Sequence, residues 1–399
     1  MTKAKISRRA LNAPASAIRK LVPFADQAKK KGIKVYHVNI GQPDLPTPEK
    51  IMNFIRNFPH QTLEYAPSNG MAESVSAWAL FYKNKGGPYR EDDIIVTSGG
   101  SEALVFAFFA VTDPGDEIIV FEPFYTSYAI IAAMANINLR AITTHVEDGF
   151  HLPDKKVIEK AVNKKTKAII LCNPNNPTGT LYTKEEVKML VNLALKYNLF
   201  IISDEPYQEI VFDGKSVLPF SSFKELLPQL IVTDSVSKRF NSCGARVGCI
   251  ASKNRQVMAA SLKFGQARLS VATVDQLALV PLLTDHKSYV ANVRKIYQKR
   301  RDVVVKELAK IPDVSFKIPQ GAFYLIPSLP VTDSDDFARF LLEKFHDNGE
   351  TVMVAPAAGF YKTEGLGKKE IRIAYVLEEK KLVRAIELLK LALNKFNRH

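Results

Sequence analysis

The sequence predicts an α/β protein in two parts: a large domain built on a mostly parallel sheet covered by helices, and a smaller α+β domain. Three observations lead there. From about Asp93 to Ser252, short apolar runs alternate with amphipathic helical stretches, which is how strands buried on both faces read between helical layers. Turn residues punctuate the alternation, as in Asp113-Pro114-Gly115-Asp116 and in the proline-bounded loop Asn173 to Gly179. From about residue 290 the pattern changes to one long helical period followed by alternating segments.

Taken in order, the strands are expected at Ile94–Thr97, Glu117–Phe121, Lys167–Cys172, Leu199–Ser203, Leu230–Thr233 and Val247–Ala251. Helices are expected at Ala103–Val111, Ser127–Ala135 and Thr183–Tyr197. The second region reads as a helix from Val290 to Leu308, alternating segments at Val314–Ile318, Ala322–Ile326 and Ile371–Val376, and a last helix from Glu378 to Phe396. The chain thus divides into 1–48, an N-terminal arm and part of the small domain; 49–289, the large domain; and 290–399, the C-terminal small domain.

Composition narrows the function. At 399 residues, with 46% hydrophobic and 24% charged, the chain has the balance of a globular protein and the size to bury a large core. Its longest apolar stretch, Ala103 to Val111, falls far short of the ~20 residues a membrane-spanning helix needs. Cys172, Cys243 and Cys249 form no C-x-x-C pair, so neither a disulfide framework nor a structural zinc site is indicated and the reading is cytoplasmic. The net charge of +14 sits mostly on periodic helical stretches, as a solvated face does, and does not point to nucleic acid or membrane. Lys3, Lys5, Arg8, Arg9, Arg19 and Lys20 precede any acidic residue, a composition with a faint likeness to a transit peptide and without the apolar core of a signal peptide; it reads as an N-terminal arm.

The chemistry gathers at predicted strand ends. Lys238, in Ser235-Val-Ser-Lys238, follows one strand and precedes Arg246 by eight residues. A cation nearby favours the neutral, nucleophilic amine. Asp204 and Tyr207 leave another strand three residues apart; the carboxylate can anchor a cationic heterocycle and the phenol can donate to an oxyanion. Ser98-Gly99-Gly100-Ser101 joins a strand to a helix, where backbone N–H groups and the helix dipole favour a phosphate. It is neither the G-x-G-x-x-G fingerprint nor a P-loop. An amine, an acid, a phenol, a phosphate cradle and an extra arginine together suit pyridoxal phosphate held on a lysine.

With these residues in place, the sequence resembles the fold-type-I, class I/II aminotransferases, in wording most like the bacterial-type aspartate aminotransferases. The resemblance spans nearly the whole chain: NIGQPDLPTP at Asn39–Pro48, EYAPSNG at Glu64–Gly70, TSGGSEAL, EPFYTSY at Glu122–Tyr128, NPNNPTG, SDEPY, SVSKRFNSCGARVG, and IRIAY at Ile371–Tyr375. It implies a pyridoxal-phosphate-dependent transfer of an α-amino group, from aspartate first of all, to a 2-oxo acid such as 2-oxoglutarate by a ping-pong route. It also implies roles for particular residues. Lys238 is the covalent anchor and the base that moves a proton between Cα and the cofactor's C4′. Asp204 keeps the ring nitrogen protonated, Tyr207 and Asn176 hydrogen-bond the ring O3′, and Tyr125 stacks on the ring. Gly99, Gly100, Ser101, Ser235 and Arg246 hold the phosphate, and Tyr65 reaches the phosphate of the other subunit of a homodimer with shared active sites. Arg372 grips the substrate α-carboxylate, aided by Asn176 and the backbone of Gly41, and a distal carboxylate needs a further cation, for which Arg268 and Arg19 are the candidates. No metal is implied.

Two positions depart from the family wording: Ser242 replaces an apolar residue, and Tyr125 replaces a tryptophan or phenylalanine. Three other readings compete. A carbon–sulfur β-lyase shares the lysine, acid and arginines, and an aromatic or broad-range aminotransferase is suggested by Phe24, Tyr36 and Phe360. Ser235-x-x-Lys238 also spells an acyl-enzyme motif, but its S-D-N and K-T-G companions are missing, and the serine is expected to follow a strand instead of opening a helix.

Overall fold

The computed structural model describes residues 4–14, 16, 18–59 and 61–396; of the N-terminal basic residues, Lys3 lies outside these. Strand β1 is Lys34–His37. Seven strands form the central sheet: β2 Ile94–Thr97, β3 Glu117–Glu122, β4 Asn138–Thr143, β5 Thr166–Cys172, β6 Phe200–Asp204, β7 Leu230–Ser235 and β8 Gly248–Ser252. Their spatial order is β2-β8-β7-β6-β5-β3-β4. Every neighbouring pair is parallel except those made by β8, which is antiparallel to both β2 and β7.

The apolar runs are continuous because both faces of the sheet are covered. Ile201 faces one hydrophobic cluster and Ile202 the other, and Ile169 and Ile170 divide in the same way. Burial of two faces is the condition for a parallel sheet. The helices stop and start where local chemistry allows. In the helix Lys184–Tyr197, Thr183 Oγ1 accepts from the N–H of Glu186, whose carboxylate accepts in return from the N–H of Thr183. This reciprocal cap satisfies two donors that the first turn leaves free. At the other end Asn198 turns left-handed, with φ 51°.

The smaller unit holds β9 Tyr324–Leu325, β10 Glu350–Met353, β11 Ala355–Pro356 and β12 Ile371–Ala374, with long helices at Lys287–Leu308 and Glu379–Phe396. β11, β12 and β9 pair antiparallel, and β1 pairs parallel with β10. That last pairing ties residues 34–37 to 350–353, which supports the division we propose, with part of 1–48 joining 290–399 and 49–289 forming the large domain. Cys172, the last residue of β5, and Tyr207, in the turn after β6, pack into the smaller unit's core beside Phe323 and Tyr324, so the seam between the units runs along the strand ends where the candidate residues lie.

Some expectations need correcting. Val314–Ile318 forms no strand and contributes only a single bridge, Ser315 to Ser328; within Ala322–Ile326 only two residues pair. β1, β4, β10 and β11 are additional. β4 is an edge strand with exposed and half-buried positions, including Arg140 and Thr143, so it lacks the uninterrupted apolar run that marks the central strands. No helix among the described residues is long and apolar enough to cross a membrane.

Candidate active site

Parallel pairing brings Cys172, Asp204, Thr233 and Ser235 to one edge of the sheet: Cys172 lies beside Asp204, and Asp204 beside Thr233. A cavity of about 620 Å³ opens there, lined among others by Gly41, Gly100, Ser101, Tyr125, Asn176, Asp204, Tyr207, Ser235, Lys238, Arg246, Tyr324 and Arg372. Ligand sites of open α/β sheets form outside such strand ends.

Lys238 stands on the one-turn helix Val236–Arg239 that directly follows β7. Its Nζ donates to the carbonyl of Gly41 at 2.8 Å and lies 3.5 Å from Cys243 Sγ. The next residue, Arg239, is buried and pairs with Asp234 at 3.0 Å and with Glu209, which pins the short helix to the protein beneath it. Ser235 caps this helix: its Oγ accepts from the Ser237 N–H at 3.2 Å and donates to Ser237 Oγ at 2.9 Å. It therefore both ends the strand and opens the helix, whereas the sequence suggested only the strand end. Its hydroxyl meets Ser237 and the amine of Lys238 meets Gly41, so the two are bonded elsewhere and not to each other.

Asp204 is 4% exposed at the end of β6. Tyr128 Oη donates to its Oδ2 at 2.6 Å and Thr233 Oγ1 to its Oδ1 at 3.2 Å. Burial pushes its carboxyl up to about 6, opposed by those two hydrogen bonds. A desolvated carboxylate of this kind favours a cationic partner in the cavity. Tyr207 is also buried, its hydroxyl 2.9 Å from that of Tyr324, and burial raises its phenol well above the ordinary range. It remains a neutral donor at physiological pH.

Arg372 projects from β12 and is 1% exposed. Its Nη1 donates to Asn176 Oδ1 at 3.1 Å and its Nη2 to the carbonyl of Asn39 at 2.7 Å, while Nε has no partner among the described residues. The guanidinium lies 4.6 Å from the ring centre of Tyr324 and 5.0 Å from that of Phe360. No carboxylate among the described residues pairs with it, and burial lowers its pKa. A buried cation with an unused donor at a cavity wall is arranged for an anionic ligand.

Backbone that admits no side chain builds the third wall. Gly99, at φ +74°, starts the helix Gly99–Val111, and a Cβ there would stand 2.5 Å from Arg246 Nη2. A Cβ on Gly248 would run into the carbonyl of Asp234 and stand 2.8 Å from the nitrogen of Gly100. Arg246 itself donates toward Ser237 Oγ, Cys243 O and Ser98 O at 3.1–3.5 Å. The helix start, Ser235, Ser237 and Arg246 form a cradle of donors, which fits a phosphate. With an amine, a buried acid and a phenol around the same space, the residues fit pyridoxal phosphate.

A model of the class I and II aminotransferase family matches residues 33–389. The chain belongs to this family. It is a pyridoxal-phosphate-dependent transferase. It is 31% identical over 394 residues to an aspartate aminotransferase of Pyrococcus horikoshii, covering 97% of each chain. It is 32% identical over 381 residues to a probable aspartate/prephenate aminotransferase of Aquifex aeolicus, covering 92% of this chain and 93% of the relative. Among solved structures it superimposes on the aspartate aminotransferase of Thermus thermophilus with maleate, with a TM-score of 0.89 at 28% identity, covering 98% of this chain and all of the other. An alanine aminotransferase from Pyrococcus furiosus gives the same TM-score at 31% identity, again with 98% and 100% coverage.

Two sequence candidates lie elsewhere. Arg268 turns away from this chain's cavity, its Nε on Glu102 at 3.1 Å and its Nη2 on the carbonyl of Val96 at 3.1 Å. Arg19 does line the cavity, with Ile18 and Ile40 beside it. Tyr65 is 82% exposed and outside the cavity. Ser242 is buried, its hydroxyl without a partner among the described residues. Sequence reading missed Tyr128, Thr233 and Tyr324. Tyr128 stood in the quoted EPFYTSY segment, and Tyr324 follows Gly321-Ala-Phe, but nothing in either pattern says what a phenol there will touch.

Proposed function

We propose that the enzyme transfers the α-amino group of aspartate to a 2-oxo acid such as 2-oxoglutarate. The observation that carries this reading is that, beside Arg246 of the phosphate cradle, two further arginines, Arg372 and Arg19, line the cavity that holds Lys238, and aspartate brings two carboxylates. Relatives named aspartate or aspartate/prephenate aminotransferase support it.

Lys238, Asp204, Tyr207 and the Gly99–Ser101, Ser235 and Arg246 cradle would hold pyridoxal phosphate, with Tyr125 against the ring. Bound there, the cofactor supplies an aldehyde to carry the amino group and a ring that accepts the electron pair left at Cα. The rest is done by the protein. Arg372 takes the α-carboxylate as a fork, with Asn176 keeping the guanidinium in place through Oδ1. That bond leaves the Asn176 amide nitrogen for the cavity. Asp204 holds a proton on the ring nitrogen. Tyr207 donates to the ring's O3′. Lys238, released as an amine, takes the proton from the substrate Cα and returns it at C4′. Arg19 receives the distal carboxylate. Burial of Asp204, Tyr207 and Arg372 strengthens each of these contacts by excluding water.

The working unit in this proposal is a homodimer, with Tyr65 reaching the partner's phosphate. Its 82% exposure, two residues from exposed Leu63, suits a covered face. A cytoplasmic setting is proposed with it, since all three cysteines are unpaired.

A panel of amino donors with 2-oxoglutarate tests the substrate. Aspartate is expected to give the highest kcat/KM. Arg19→Ala is expected to raise the KM for aspartate by about tenfold or more while sparing phenylalanine, the scale of one lost charge-assisted hydrogen bond. Equal losses for both donors overturn the assignment of Arg19. Pyruvate released from cysteine without a keto acceptor would transfer the reading to the β-lyase.

A further inference from the structure

We propose that Tyr324, assigned no role by the sequence motifs, is a positioning residue that makes Tyr207 a stronger proton donor and so lowers the proton affinity of the bound cofactor. This deepens the reading above and rests on it. The two phenol oxygens are 2.9 Å apart and both rings are buried. Each hydroxyl carries one proton, so one of the pair donates and the other accepts. Neither oxygen has another hydrogen-bond partner among the described residues. Once Tyr207 commits its proton to an oxyanion in the cavity, its oxygen is left as the acceptor for Tyr324. The order is then Tyr324 to Tyr207 to the cavity.

The surroundings hold Tyr324 to that task. The guanidinium of Arg372 sits 4.6 Å from its ring centre. Gly41 leaves the space its hydroxyl occupies, since a Cβ at position 41 would collide with Tyr324 Oη. Tyr207 and Phe323 flank the ring at 5.6 and 4.9 Å between centres. A hydrogen bond received by a donor strengthens the bond it gives, by about 10–30% in a buried chain. The oxyanion facing Tyr207 is stabilised more, and protons leave the cofactor site more readily.

The test is a spectroscopic pH titration of the holoenzyme's visible absorption band. In Tyr324→Phe the midpoint is expected to rise by about 0.2–0.6 pH unit, the cooperative share of one charge-assisted hydrogen bond. Tyr207→Phe is expected to raise it further, and adding Tyr324→Phe to that variant to change nothing more. Gly41→Ala, which displaces the Tyr324 hydroxyl without deleting it, is expected to shift the midpoint in the same direction. An unchanged midpoint in Tyr324→Phe, or an equal shift whether or not Tyr207 has its hydroxyl, overturns the proposal while the cofactor assignment stands. A wild-type enzyme that shows no such band at all overturns the cofactor assignment, and this inference with it.

Discussion

Replacing Asp204 by Asn separates what the protein needs to fold from what it needs to work. The carboxyl is buried and its folded-state pKa is about 6, against 3.8 for the free side chain. A carboxyl whose pKa is raised by folding costs stability once it ionises. The cost is absent below about pH 4, grows as pH rises from 4 to 6, and is complete above 6. Those two values put it at about 3 kcal/mol at pH 7, and make it about 1.4 kcal/mol larger at pH 7.5 than at pH 5. Asparagine carries no charge but offers a single acceptor oxygen, so either Tyr128 or Thr233 loses its acceptor, at about 1–2 kcal/mol. The cofactor-free variant should therefore be more stable than wild type by about 1–2 kcal/mol at pH 7.5, with the advantage fading or reversing at pH 5. Urea melts of the two cofactor-free proteins at both values measure this, and their difference cancels every group they share. The holoenzyme should respond oppositely: turnover should fall by about 100-fold or more, as when a preorganised charge is taken from a reaction centre. A stability difference that does not vary with pH would refute the account of Asp204.

Other perturbations follow from the same geometry. Arg268→Gln removes the partner of Glu102, whose Oε2 accepts from the Ser98 N–H at 2.7 Å at the start of the phosphate cradle; it should weaken cofactor retention in dialysis without altering the preference between aspartate and phenylalanine, and a change confined to aspartate would return Arg268 to the substrate. Gly248→Ala puts a methyl group against the backbone of Asp234, Gly99 and Gly100; it should cost about 1–3 kcal/mol in a denaturant melt, the usual price of overpacking, and weaken cofactor binding. A variant that matches wild type in both measurements would show that the cradle tolerates a side chain.

Much of this was legible in the sequence because the chemistry sits in contiguous motifs at strand ends. Lys238, Asp204 and Gly99 each follow an apolar run, and buried parallel strands announce themselves by such runs. The helix Ser127–Ala135 and the strand Ile94–Thr97 fall where periodicity put them. Partnerships across the fold were not legible. Arg268 and Arg19 are equally plausible cations as letters, and only the packing of Glu102 and Val96 around Arg268 separates them. Tyr324 belongs to a two-residue strand, too short for any period to register, and Tyr128 reaches Asp204 across 76 positions. Short edge pairings such as β1 with β10 were missed for a related reason: their burial comes from neighbours far along the chain.

The measurement that bears most directly on the account is the site of covalent attachment. Protein incubated with pyridoxal phosphate, reduced with borohydride and digested should yield one modified peptide, carrying the reduced cofactor on the ε-nitrogen of Lys238, with loss of the visible band and of transaminase activity. Label spread over surface lysines with none at 238, or a Lys238→Arg variant that turns over normally, would contradict it.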